Sequence, residues 1–134
     1  MWFTSQRFDL QNLNMLKQIL LVGIGGAAGS ILRFVLSVAI SRLYPGIFPL
    51  ATFIVNVTGC FLIGLFFSQV ISSNDHQLRF LLVTGFCGGY TTFSAFSYEN
   101  VQLINSGHAW LAAGYIFASC IAGVGAVWLG LKLY

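Results

Sequence analysis

The chain has 134 residues, of which 57% are hydrophobic and only 7% are charged. Soluble domains carry about 25% charged residues, so this chain cannot solvate the surface of an ordinary globular enzyme. The high hydrophobic content also excludes a disordered chain. Its six Lys and Arg residues are scattered and form no patch for nucleic-acid phosphates, which excludes a nucleic-acid binder. The composition predicts an all-α membrane protein whose main partner is membrane lipid.

The N-terminal part divides into a polar extension and a first apolar span. Residues 1–15 are polar and mixed, and residues 16–134 form the predicted transmembrane domain. Its first span runs from Leu16 to Ile40, longer than the roughly 20 residues that a spanning helix needs. A signal peptide is the alternative because Lys17 precedes the apolar run, but that run continues past Ser30.

Three more apolar spans follow, separated by polar turns. They run from Phe48 to Ile71, from Leu78 to Ile104 and from Ala109 to Leu131. Four spans place both termini on one side of the membrane. Lys and Arg residues near the span ends count four on the terminal side and two on the other, a thin positive-inside bias. This bias slightly favours cytoplasmic termini and is small enough for the chain to insert in both orientations.

The third span is unusual because it is too long and contains poor helix formers. Its 27 residues would extend about 40 Å as one helix, against a hydrocarbon core of about 30 Å. Gly88 and Gly89 are followed, after Tyr90, by Thr91 and Thr92, so the helix is expected to open at these glycines. Two interpretations remain open here: an ion site at a broken helix, and a glycine-packed kink without a ligand.

Polar side chains inside the spans are the candidate functional residues, since each is costly in lipid unless satisfied. Most are neutral donors of the kind that could replace water around a small anion. Thr52 and Asn56 share one face of the second span, and Tyr115 and Ser119 share one face of the fourth. Each can equally be structural, because hydroxyls bond to their own helix and an amide can join neighbouring helices.

Two aromatic residues and two charged residues allow similar alternatives. Phe93 and Phe96 lie on one face, where they either pack against lipid and core or turn positive ring edges toward an anion path. Arg33 is expected to pair with Glu99 or to extend to the interface. The three cysteines have no metal-ligand spacing and are expected to be packing residues. No catalytic constellation is visible, so an enzyme is not predicted.

Four sequence motifs resemble the CrcB/Fluc family of fluoride channels over residues 16–131. They are Gly25-Gly26-Ala27-Ala28-Gly29-Ser30 with Arg33, Thr52-x-x-x-Asn56-x-x-Gly59, Tyr115-x-x-x-Ser119 and the long string from Gly85 to Phe96, GFCGGYTTFSAF. The chain departs from the family at Ala95, where Thr is common, and in its polar N-terminal extension.

The resemblance implies four-helix subunits that pair as an antiparallel, dual-topology homodimer in the inner (plasma) membrane. It implies a fluoride-selective channel that exports fluoride passively and lowers its toxicity in the cytoplasm. The implied pore residues are Asn56, Phe93, Phe96, Ser94, Thr52, Tyr115 and Ser119. It further implies a central structural Na+ held by the main-chain carbonyls of Gly88 and Thr91, with Arg33 at the vestibule and Glu99 near the pore.

Two other functions compete with this one. A small four-helix dimeric exporter of cations or drugs would need a membrane carboxylate, for which Glu99 is the candidate. A subunit of a membrane assembly that transports nothing is the third. Fluoride flux measured beside chloride flux and cationic dye uptake separates the three functions.

Overall fold

The computed structural model describes the backbone of residues 2–73 and 75–133, and the side chains of residues 14–70 and 75–133. Every regular element in this part of the chain is helical, as the composition predicts. The elements are α1 (Trp2–Leu43), α2 (Leu50–Ser73), α3 (His76–Leu78), a π-helix (Arg79–Cys87), α4 (Gly88–Tyr90), α5 (Phe93–Asn105) and α6 (Ala109–Lys132).

Within the described residues, three helical stretches are long and apolar enough to cross a membrane. They are Asn14–Leu43, Leu50–Val70 and Ala109–Lys132, which correspond to the first, second and fourth predicted spans. Large apolar side chains such as Phe34 and Phe117 are exposed on them, as expected where the surrounding solvent is hydrocarbon. The backbone of α1 is already helical from Trp2, and the side chains of residues 1–13 in the predicted extension lie outside the described residues.

The third predicted span consists of two helical segments. α3, the π-helix and α4 form one continuous helical path over residues 76–90, and α5 begins only at Phe93. Between them, Thr91 (φ −80°, ψ 158°) and Thr92 (φ −147°, ψ 118°) are extended. β-Branched side chains tolerate this conformation well. We call Thr91 and Thr92 the interruption.

The expectation that the helix opens at its adjacent glycines is wrong. Gly88 has ordinary right-handed helical angles (φ −63°, ψ −37°), which any residue can adopt. Gly89 belongs to the same α-helical turn and lies directly against α1, where a Cβ on it would overlap the backbone of Gly26. Gly89 therefore provides close helix packing, and the backbone opens two residues further on.

Glycines let α1 approach the segment of residues 79–90 closely. A Cβ at Gly25 would overlap the carbonyl oxygen of Leu81, and one at Gly29 would overlap that of Phe86. In lipid, such contacts between small residues are how helices associate. The other face of the same segment contacts α2, which packs against α6 in turn. This arrangement places the segment of residues 79–90 between α1 and α2, directly before the interruption.

Candidate functional site

Asn56, in the N-terminal half of α2, binds the interruption through both ends of its side-chain amide. Its Nδ2 donates to the carbonyl of Thr92 at 3.0 Å, and its Oδ1 accepts from the N–H of Thr92 at 2.8 Å. A primary amide can offer a donor and an acceptor side by side, as the backbone of a neighbouring strand does. Asn56 therefore satisfies both backbone groups of the extended residue Thr92.

The main-chain carbonyls of residues 88–91 lose the donors that a continuous α-helix would supply, and those of Gly88 and Thr91 are two of them. In such a helix the carbonyl of Gly88 would accept from the N–H of Thr92, and that of Thr91 from the N–H of Ala95. The N–H of Thr92 donates to Asn56 instead, and the N–H of Ala95 donates to Thr92 Oγ1 at 3.2 Å, a helix N-cap. Both carbonyl oxygens are released from helical bonding, as in the unwound segments that coordinate Na+ in transporters.

The neighbouring carbonyl of Gly89 is held by α1. Ser30 Oγ donates to it at 3.3 Å, and Arg33 Nε donates to it at 3.1 Å. The structure thus places Arg33 on the turn just before the interruption rather than against Glu99, which has other partners. α1 and α2 together fix the backbone on both sides of the released carbonyls.

Glu99 of α5 accepts hydrogen bonds from two hydroxyl groups. Thr52 Oγ1 of α2 donates to Oε1 at 2.5 Å, and Tyr115 Oη of α6 donates to Oε2 at 3.0 Å. Thr52 and Tyr115 are both buried. This cluster therefore joins three helices, α2, α5 and α6, at one carboxyl group.

An aromatic series leads from this cluster to the outside of the chain. The ring of Phe96 lies 4.9 Å from that of Tyr115, and the ring of Phe93 lies 5.9 Å from that of Phe96, measured between centroids. Phe96 is half-buried, whereas 79% of Phe93 is exposed. Most of the surface of Phe93 is therefore left uncovered by its own chain.

An open groove of about 330 Å³ brings five of the predicted site residues together. These five are Asn56, Thr91, Phe93, Phe96 and Ser119, and the remaining lining residues are Gly59, Cys60, Ile63, Thr92 and Cys120. The hydroxyl oxygen of Ser119 is buried and has no hydrogen-bond partner within the described part of the chain. Its hydroxyl thus has hydrogen-bonding capacity that the described residues do not use.

The other predicted site residues lie around this groove rather than in its wall. Thr52, Tyr115 and Glu99 form the hydroxyl–carboxyl cluster, and Ser94 is exposed with its Oγ 3.2 Å from Thr92 Oγ1. Gly88 is exposed on the surface of α4. A second cavity of about 310 Å³ borders Glu99 and is also lined by Ile47, Pro49, Gln102, Leu103 and Ser106.

Sequence reasoning missed several residues of this region. Cys60 was expected only to pack, yet it lines the groove one helical turn from Asn56, so the i, i+4 spacing could have placed it there. Cys120 follows Ser119 directly and also lines the groove. The contact between Thr58 and Tyr90 joins residues 32 positions apart, and no spacing in the sequence signals it.

Comparison with known proteins places this arrangement in a family. The family model described as "CrcB-like protein, Camphor Resistance (CrcB)" matches residues 20–131. A protein of Azobacteroides pseudotrichonymphae named "Fluoride-specific ion channel FluC" is 50% identical over 121 residues, covering 89% of this chain and 97% of the relative.

Two further relatives carry the same name. The protein of Flavobacterium psychrophilum is 46% identical over 118 residues, covering 87% of this chain and 95% of the relative. That of Prosthecochloris aestuarii is 45% identical over 117 residues, covering 86% and 91%. With its three apolar spanning helices, the chain is a multi-pass protein of the cell membrane, and it belongs to the CrcB-like protein family.

Proposed function

We propose that this chain forms a channel that lets fluoride leave the cytoplasm down its electrochemical gradient. Its relatives are named fluoride-specific ion channels, so the chain is a transport protein rather than an enzyme. The groove carries the proposal, because none of the described residues that line it has a formal charge. A neutral lining can bind an anion well enough to admit it and weakly enough to release it.

Within the groove, Asn56 and Ser119 are the proposed polar contacts of fluoride, and the rings of Phe93 and Phe96 are the proposed aromatic wall. An N–H or O–H donor replaces part of the hydration shell that a small anion loses. The positive edge of an aromatic ring attracts an anion without holding it tightly. Ser94, Thr52, Tyr115 and Glu99 are proposed to extend the polar path beyond the rings.

We propose that two copies pair antiparallel and complete the path. The groove is open rather than enclosed, and Phe93, which lines it, is 79% exposed. A second copy would cover this opening and turn an open groove into a pore. The thin charge bias of the chain supports insertion in both orientations, which an antiparallel pair requires.

We propose a structural Na+ between the two copies, held by the main-chain carbonyls of Gly88 and Thr91. The support is that both carbonyls have lost their helical donors at the interruption. An ion there would neutralise carbonyl dipoles that otherwise face a dry interior.

A cation or drug exporter is less well supported by the geometry. Such an exporter needs a carboxylate that exchanges protons for its substrate. Glu99 is the candidate, but both of its oxygens already accept hydroxyl hydrogen bonds from Thr52 and Tyr115. Glu99 is thus committed to a cluster that joins helices.

The function is tested with purified protein in liposomes. We expect rapid efflux of fluoride, no chloride efflux above that of empty liposomes, and no uptake of a cationic dye. Proton-driven dye uptake without fluoride efflux would support the exporter, and the absence of any flux would support a non-transporting subunit.

A further inference from the structure

A buried tyrosine anchors the last helical turn before the interruption. Tyr90 is 3% exposed, and its hydroxyl oxygen lies 2.9 Å from Thr58 Oγ1 of α2. The Thr58 hydroxyl also lies 2.8 Å from the carbonyl of Ile54 and 3.1 Å from that of Val55. Because the Thr58 proton goes to its own helix, its oxygen is left to accept the proton of Tyr90.

The ring of Tyr90 is also held along its length. It stacks on the ring of Phe86 with centroids 5.8 Å apart and planes 7° apart, and Phe86 meets Phe66 edge-on at 6.3 Å. Gly59 leaves the space for this arrangement, since a Cβ there would overlap Thr91 Cγ2 and lie 3.0 Å from Tyr90 Cδ1. The stacked rings and the hydroxyl contact together restrain Tyr90 in one position.

Side chains from α1 and α2 thus hold three positions along this backbone. Gly89 is held by Ser30 and Arg33, Tyr90 by Thr58, and Thr92 by Asn56. Gly88 directly precedes the three held positions, and Thr91 lies between Tyr90 and Thr92. The distance between the carbonyl oxygens of Gly88 and Thr91 consequently depends on where Tyr90 is held.

We infer that the Tyr90–Thr58 hydroxyl pair is a positioning element for the carbonyls that bind sodium. The inference rests on the proposed central Na+ and assigns the pair no contact with fluoride. Coordination by carbonyl oxygens depends on their number and placement. Loss of the hydroxyl contact should therefore weaken sodium binding while leaving the fluoride groove intact.

The test measures the melting temperature of the full-length protein in detergent while NaCl replaces N-methylglucamine chloride. The half-effective sodium concentration is the one that gives half of the full sodium-dependent rise in melting temperature. For Tyr90→Phe, which keeps the ring, we expect this concentration to rise about fivefold. That factor is equivalent to one net hydrogen bond of about 1 kcal/mol. Fluoride flux at saturating sodium should equal that of the wild type. Tyr98→Phe is the matched control, because it removes an exposed hydroxyl that accepts only from Gln102.

Substitutions at Thr58 separate positioning from simple stability. Thr58→Ser keeps the hydroxyl and should match the wild type, whereas Thr58→Val should raise the half-effective sodium concentration as Tyr90→Phe does. A lower melting temperature at every sodium concentration, with an unchanged half-effective concentration, would overturn the inference. A wild-type protein that conducts fluoride but shows no sodium-dependent melting would also overturn it, and would leave the channel function standing.

Discussion

Replacing Asn56 by Asp is expected to reduce fluoride flux by about 100-fold or more. The change keeps the shape of the side chain but places a negative charge in the groove, where like charges about 4 Å apart repel by roughly 4 kcal/mol at an effective dielectric constant of 20. It also replaces the Nδ2 donor that bonds the carbonyl of Thr92 by an oxygen. The rate of fluoride efflux from liposomes measures this effect.

Two further variants show whether the charge or the lost hydrogen bond is responsible. Asn56→Ala removes both bonds to Thr92 but leaves the groove neutral, so it should retain more flux than Asn56→Asp. Asn105→Asp makes the same chemical change at an exposed residue that ends α5, and it should leave flux unchanged. Folded Asn56→Asp protein with wild-type flux would remove Asn56 from the fluoride path.

Replacing Gly89 by Ala is expected to prevent accumulation of folded protein. A Cβ at this position would overlap the backbone of Gly26 in α1, and backbone cannot rotate away as a side chain can. Overpacking typically costs about 1–3 kcal/mol even where side chains can adjust, so we expect at least that cost here. The yield of monodisperse protein after detergent extraction, with its melting temperature, gives the measurement.

The adjacent residue provides the control for this prediction. Gly88 is also helical, and a Cβ there would meet nothing within 4 Å in its own chain. Alanine is a better helix residue than glycine by about 0.5–1 kcal/mol, so Gly88→Ala should fold at least as well as the wild type. Equal yields of the two variants would show that α1 and α4 do not approach as closely as described.

The spanning helices could be predicted from the sequence because hydropathy alone decides which residues enter lipid. The first, second and fourth spans have their predicted places, and the turn at residues 106–108 contains Gly107 with φ of +83°. The groove residues Asn56, Phe93, Phe96 and Ser119 were also singled out by motif and helical spacing. Local chemistry is sufficient for features of this kind.

The detail of the third span could not be predicted because tertiary packing decides it. Adjacent glycines weaken an isolated helix, yet Gly89 is helical because close contact with Gly26 stabilises it there. Arg33 donates to a main-chain carbonyl, a partner that every residue offers and that no spacing reveals. The same holds for Asn56, whose two bonds are to the backbone of Thr92 rather than to another side chain.

The reversal potential of currents in a planar bilayer tests the central claim, passive conduction of fluoride, most directly. With equal chloride on both sides and a tenfold fluoride gradient, a fluoride-selective channel reverses at the fluoride equilibrium potential, about 59 mV in magnitude for a monovalent ion. We predict that value, with a sign that changes when the fluoride gradient is inverted. Reversal at zero millivolts under the same gradient would contradict the proposed function.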